Sequence, residues 1–337
     1  MNYNNTTIKD VAKAANVSTA TVSNVISKVK YVSPELTKRV EKVIKQINYK
    51  PSKIARSLKV NKTFYLGLIV PDITNPFFAE VVRGAESVAL RENYQIFLCN
   101  TDGNVHREEK ALKSFYEHHV DGIISVAPRM KEADLEKYFN SIPFVIADRP
   151  LNIKNYEANL VYADNIKSSY QLAKHLIKKG HQSFAYIAGP REVLNVQKRI
   201  FGFSKGLKDS GFSEEKNVIL YGEFNYENGF KLMNKILELK PHPTAVFALS
   251  DITAWGALES AKAKGLNIPE DIAIAGFDNV YFSKLLNPSL TTIHQPKYEL
   301  GRVAVNILIK KLNNMKKGLM KKNEIILESK LILRNST

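Results

Sequence analysis

A chain of 337 residues is longer than one hydrophobic core ordinarily covers and implies two or three domains, while 44% hydrophobic content excludes a disordered chain. The longest apolar run, Phe64 to Val70, is too short to cross a bilayer, and the polar start Met1–Thr7 lacks the character of a secretory leader, so no membrane partner is expected. A single cysteine, Cys99, excludes an internal disulfide; it reads as a small apolar residue in a buried strand, and the expected location is the cytoplasm.

The net charge of +16 is unevenly placed: residues 1–62 hold 13 Lys and Arg against 3 Asp and Glu, leaving only +6 for the rest. A basic head on a nearly balanced body suits a polyanion, because neutralising phosphates releases condensed counterions. Within this head, Thr7-Ile8-Lys9-Asp10 has the form of a capping box, followed by Val11, Ala12 and Ala15 at helical spacing. Asn16-Val17 interrupts, and Ser18 caps a second helix to about Ile26 with Val22, Val25 and Ile26 inward. Ser33-Pro34 starts a third helix, whose inner stripe is Val40, Val43, Ile44 and Ile47. Residues 1–50 are therefore expected to form an α-helical helix-turn-helix domain that binds double-stranded DNA. The second helix turns Thr19, Ala20, Thr21, Ser23 and Asn24 outward; small side chains permit close approach, hydroxyls bond phosphates, and Asn24 suits the N6/N7 edge of adenine. The bland alternative is the solvated face of a small bundle.

Residues 51–62 read as a hinge helix and linker. Pro51 suits a first helical turn, yet only about seven residues follow before Val60-Asn61, so such a helix needs outside support. DNA provides it if Lys53 and Arg56 lie near phosphates and Leu58 wedges into the minor groove; an ordinary linker with Leu58 packed on the body is the alternative.

From residue 63 to 337, apolar strands alternate with amphipathic helices in two series, as expected of an α/β body with two parallel-sheet lobes. The first series is Tyr65–Val70, Gln95–Asn100, Gly122–Val126 and Phe144–Ala147. The second is Ser183–Ala188, Val218–Tyr221, Ala245–Ala248 and Ile272–Ala275, with a further strand at Leu290–His294. Helices are expected over Phe77–Glu92, Arg107–His119, Ile166–Lys179, Gln197–Ser210, Tyr226–Leu239 and Asp251–Lys264. Ligands of parallel sheets bind beyond the carboxyl ends of the strands. Asn75, Phe77, Phe78, Asp148, Arg149, Arg199, Ser250, Asp278 and Gln295 cluster there. Carboxylates and guanidinium groups beside aromatic faces suit a polyhydroxylated ring. Taken singly, Asn75 and Asp251 are also helix caps, and Asp148 is also a partner for Arg149.

The run Thr7-Ile-Lys-Asp-Val-Ala-Lys-Ala-Ala-Asn-Val-Ser-Thr-Ala-Thr-Val-Ser resembles the head of the lac repressor family, and Ala55-Arg-Ser-Leu58 resembles its hinge helix. The likeness covers essentially the whole chain, the body being similar to pentose-binding periplasmic proteins. It implies a homodimeric transcription repressor without cofactor or catalytic activity, whose operator affinity is controlled by a pentose, another sugar or a sugar acid. It places Thr19, Ala20 and Asn24 on base-reading positions and Leu58 on the intercalating position. Asn75, Phe77, Phe78, Asp148, Arg149, Arg199, Asp278 and Gln295 fall on ligand positions. Ala20 departs from members with a polar residue, and Ser250 from sugar binders with asparagine. Purine-responsive members are the alternative, although Val193 stands where they carry a base-recognising arginine. Tyr298-Glu299-Leu300-Gly301 partly resembles the region where other members dock a phosphocarrier protein. An enzyme is disfavoured: there is no G-x-S-x-G, no Walker A motif and no G-x-G-x-x-G after the first strand.

Overall fold

Side-chain caps set the helix starts of the head. The computed structural model describes residues 6–28, 30–50, 62–139, 141–151, 159–213, 217–314 and 324–337, in two units, Met1–Phe64 and Tyr65–Thr337. In the first unit, the Asp10 carboxylate accepts from Thr7 N–H at 2.8 Å while the Thr7 hydroxyl accepts from Asp10 N–H, opening α1 (Ile8–Ala14). The turn passes through Asn16 at φ +50°, a conformation asparagine tolerates well. Ser18 then accepts from Thr21 N–H at 3.1 Å and opens α2 (Thr19–Ser27), and Ser33 with Pro34 opens α3 (Pro34–Gln46). Val11, Ala12, Ala15, Val22, Val25, Val40 and Val43 close a small core. The expected hinge residues Lys53, Ala55, Arg56 and Leu58 lie outside the described residues.

The second unit holds two parallel sheets. The first lobe contains β1 (Tyr65–Val70), β2 (Gln95–Asn100), β3 (Gly122–Val126), β4 (Phe144–Ala147), β5 (Asn159–Ala163) and, from near the chain end, β11 (Glu324–Leu327), in the order β11-β5-β4-β3-β1-β2. The second contains β6 (Phe184–Ala188), β7 (Val218–Tyr221), β8 (Ala245–Ala248) and β9 (Ala273–Ala275), in the order β7-β6-β8-β9. A short antiparallel pair joins β10 (Thr292–His294) to β12 (Lys330–Ile332). The crossover helices are α4 (Pro76–Arg91), α5 (Val105–Glu117) and α6 (Glu132–Phe139) in the first lobe, and α7 (Asn165–Lys178), α8 (Leu194–Lys208), α9 (Tyr226–Leu237) and α10 (Asp251–Ala263) in the second. A final helix, α11 (Lys297–Asn314), follows β10 yet packs on α4 in the first lobe. The chain thus crosses between lobes after β5, after β10 and after β11.

The sequence reading did not anticipate β5, β11, β12 or α6. Helix α5 starts two residues before its expected position because Asn104 caps it, accepting from Arg107 N–H at 3.1 Å. Helix α8 starts three residues early, at Leu194, without any side-chain cap.

Glycine decides how closely α4 and α11 approach. A Cβ at Gly84 would stand 1.9 Å from the Tyr298 carbonyl oxygen, and one at Gly301 would stand 1.9 Å from that of Val81. Gly84→Ala should therefore force these backbones apart and lower unfolding stability by about 1–3 kcal/mol. Urea denaturation of the purified protein measures this, and an unshifted midpoint would refute the close packing.

Candidate functional site

The carboxyl ends of both sheets face one cavity of about 430 Å³ between the lobes of the second unit. Asn75, Phe77, Phe78, Asp148, Arg149, Arg199, Ser250 and Asp278 all line it. The arrangement begins with helix starts. Asn75 caps α4, its side-chain oxygen accepting from Phe77 N–H at 2.9 Å, so the cap and the cavity wall are one residue. The rings of Phe77 and Phe78 meet edge to face at 5.0 Å. Ser250 caps α10, with its hydroxyl 2.7 Å from that of Thr253.

The charged residues are buried. Arg199 Nε donates to Asn165 Oδ1 at 2.8 Å and Nη1 donates to the Leu249 carbonyl at 2.5 Å. Nη2 lies 3.8 Å from Asp278 Oδ1, and the guanidinium carbon lies 3.8 Å from the Phe277 ring centre. Asp148 is likewise buried, and one of its carboxylate oxygens has no hydrogen-bond partner. Burial pushes its carboxyl up to about 7; nearby Arg199 opposes this and Asp278 adds to it. Burial raises Asp278 too, against the pull of Arg199 and a hydrogen bond from Gln295.

Three sequence-level readings need correction. Asp148 and Arg149 do not pair: Arg149 Nη1 donates to the carbonyls of Pro128 at 2.6 Å and Met130 at 2.8 Å, in a loop held by the buried carboxylate of Glu108. Asp251 is not the cap of α10, which is Ser250. It accepts instead from Val280 N–H at 2.8 Å and from the hydroxyls of Ser283 and Thr292 at 2.5 Å each. Gln295 is absent from the cavity wall and sits behind Asp278, donating to Oδ1 at 2.7 Å.

Several lining residues escaped the sequence reading. Asn195, buried at the start of α8, donates across the lobes to the Asp148 carbonyl at 2.7 Å and leaves its own oxygen unpartnered. Its signal was obscured by placing the helix start at Gln197. Asp102, Arg129 and Phe224 follow the ends of β2, β3 and β7, where the strand-end rule points. Three loop residues of the wall, Ala127, Asp148 and Asp278, have φ of +45°, +54° and +116°. Such conformations are costly for side-chain-bearing residues and cluster at functional sites.

In the head, Thr19 and Ala20 are exposed on the first turn of α2, with Thr21, Ser23 and Asn24 half-buried beside them. The caps Thr7 and Ser18 stand at the two helix starts.

Comparison with known proteins assigns both units. Residues 7–52 match the family described as bacterial regulatory proteins, lacI family. Residues 63–329 match periplasmic binding proteins and the sugar binding domain of the LacI family. The chain belongs to the LacI family. Its relatives include the HTH-type transcriptional repressors PurR of Pasteurella multocida (strain Pm70), 40% identical over 91% of this chain and 92% of that protein, and of Haemophilus influenzae (strain PittEE), 37% identical over 98% of each. Among solved structures, a LacI-family regulator from Enterococcus faecalis V583 with bound ribose is 31% identical with a TM-score of 0.73, covering 81% of this chain and 98% of that one. The lac repressor dimer bound to operator and the anti-inducer ONPF shares the fold, with a TM-score of 0.87 at 24% identity over 98% of each. The protein is thus a LacI-family DNA-binding repressor with an effector-binding body, and not an enzyme. Among the described residues no helix is long and apolar enough to cross a membrane.

The raised carboxyl of Asp148 has a consequence for this repressor's stability. An acid that holds its proton more tightly when folded contributes stability that is lost as pH rises from its ordinary value of 3.8 through about 7. Asp148→Asn should therefore flatten the fall in stability across that window. Urea unfolding at pH 5 and pH 8 checks this; an unchanged difference between the two would contradict a buried, titrating Asp148.

Proposed function

We propose that the cavity binds an uncharged sugar, a pentose above all, and that its occupancy controls operator binding. The observation that carries this reading is the pair of buried, unpartnered acceptors, Asp148 Oδ1 and Asn195 Oδ1, beside the buried guanidinium of Arg199. A desolvated acceptor without a donor costs about 1–3 kcal/mol, and ring hydroxyls supply donors. Six acidic residues on the cavity wall, Asp72, Asp102, Asp148, Glu192, Glu223 and Asp278, face three arginines, Arg129, Arg149 and Arg199, which disfavours a sugar acid. Phe77, Phe78 and Phe224 offer apolar faces to the C–H surface of the ring. A purine base is the second reading, favoured by the relatives named PurR. Against it, the cavity wall carries apolar Val193 where the resemblance to purine-responsive members calls for an arginine.

The repressor acts in the cytoplasm as a homodimer. An aromatic cluster on the body supports a subunit surface: Trp255 meets Tyr226 and Phe282 at 5.2 Å each, and Tyr281 meets Phe282 at 5.7 Å. Paired heads lay α2 in successive major grooves of a near-palindromic operator. Thr19, Ala20 and Asn24 read base edges, while Thr7, Ser18, Thr21 and Ser23 contact the backbone. Ala20 meets a thymine methyl without donating a hydrogen bond. Residues 51–62 join head to body; Lys53, Ala55 and Arg56 approach the DNA and Leu58 enters the minor groove. The sugar draws the lobes together, changes the spacing of the heads and releases the operator.

A thermal-shift series decides the ligand. D-ribose at a hundredfold excess over its Kd adds about 2.7 kcal/mol of stability, a shift of several degrees, and Arg199→Ala or Asp278→Ala abolishes it. A shift with hypoxanthine and none with any pentose overturns the sugar reading. On the DNA side, Asn24→Ala loses about 1–3 kcal/mol of operator affinity with little change on unrelated DNA. Equal loss on both sequences in a salt-controlled binding assay contradicts base reading by Asn24.

A further inference from the structure

Lys297 opens α11 and is only 7% exposed. Its ammonium spends its hydrogen bonds on backbone carbonyls: Asp278 at 2.7 Å, Asn279 at 2.9 Å and Gln295 at 3.4 Å. Two of those carbonyls belong to residues with positive φ, Asp278 at +116° and Asn279 at +51°. Asparagine tolerates +51°, but +116° at Asp278 is disfavoured for a side-chain-bearing residue and persists only where its surroundings over-determine it. Carbonyl dipoles that converge on one point repel each other unless a cation stands between them. The N–H side of the same loop is held by other groups, with Val280 N–H on Asp251 and Asn279 N–H on the Thr292 hydroxyl at 3.2 Å. On the carbonyl side Lys297 makes the short contacts, and the Gln295 N–H adds one longer bond to the Asp278 carbonyl at 3.4 Å.

The same residue joins the two lobes. Asp278 belongs to the second lobe, whereas α11 packs on α4 of the first at the close approaches of Gly84 and Gly301. The cap of α4 is Asn75, on the opposite wall of the cavity. A buried ammonium at the first turn of α11 therefore ties the Asp278 loop to the element that carries Asn75.

We propose that Lys297 is a positioning residue that holds the Asp278 loop in its left-handed conformation and fixes Asp278 relative to the first lobe. Its effect on ligand binding rests on the reading of the cavity as the effector site.

The test uses the full-length protein as wild type, Lys297→Met and Lys297→Arg. Backbone amide hydrogen exchange is followed at residues 278–280, with strands β6 and β8 as the internal reference. Lys297→Met is expected to accelerate exchange in the loop at least tenfold while the reference strands stay unchanged. Lys297→Arg, which keeps a cation with several donors, recovers most of the protection. Loop exchange unchanged in Lys297→Met, or acceleration shared equally by the reference strands, overturns the proposal. Titration calorimetry with D-ribose forms the second arm, in which Lys297→Met weakens binding at least tenfold. Unchanged ribose affinity in that variant overturns the positioning role. Wild type that takes no ribose refutes the sugar reading, and the exchange arm then decides the role of Lys297.

Discussion

A guanidinium withdrawn from water must be surrounded by acceptors, and the cavity between the lobes is organised by how Arg199 meets that demand. Asn165 and the Leu249 carbonyl occupy two of its nitrogens, Phe277 covers one face of the plane, and Asp278 stands 3.8 Å from a third nitrogen. This ordering fixes a positive charge at the floor of the cavity. Two carboxylates, Asp148 and Asp278, are drawn into the same low-dielectric space, each raised by burial and restrained by the arginine. The hydrogen-bonding capacity left over lies on Asp148 and Asn195, both residues of the cavity wall, and it is the basis of the proposed sugar reading.

The fold brings these groups together from distant parts of the chain. Asp148 follows β4 in one lobe, while Arg199 and Asp278 belong to the other. The Asn195 amide already reaches across to the Asp148 carbonyl. An ion pair at 3.9 Å between Arg129 and Glu223 adds a second, more exposed contact between lobes. Exposed pairs of this kind contribute little, so the buried amide contact, the Lys297 contacts and the three chain crossings hold the lobes together. On the proposed reading, ligand binding biases their relative position and through it the grip on DNA.

Local signals were legible in the sequence and long-range ones were not. Thr7, Ser18, Ser33 and Asn75 each announce a helix start through a side chain that reaches a backbone N–H within three residues, and each does so in the structure. The strand-end rule similarly gathered Asp148, Arg149, Arg199 and Asp278, because parallel topology sends every strand end to one edge. The pairing partners of buried charges escaped. Arg149 turns to the 128–130 backbone and Asp251 to Val280, Ser283 and Thr292, all contacts made between separate loops. β11 was missed for the same reason: Glu324–Leu327 is a short edge strand whose partner, β5, lies some 160 residues earlier in the chain.

The central claim is a coupling between cavity and operator, and coupling between two binding sites is reciprocal. The direct measurement is the affinity of the repressor for D-ribose, determined on the free protein and again on the protein saturated with operator DNA at fixed salt. The account predicts weaker sugar binding in the operator complex, by the same factor by which saturating sugar weakens operator binding. Identical sugar affinity in the two states would contradict it.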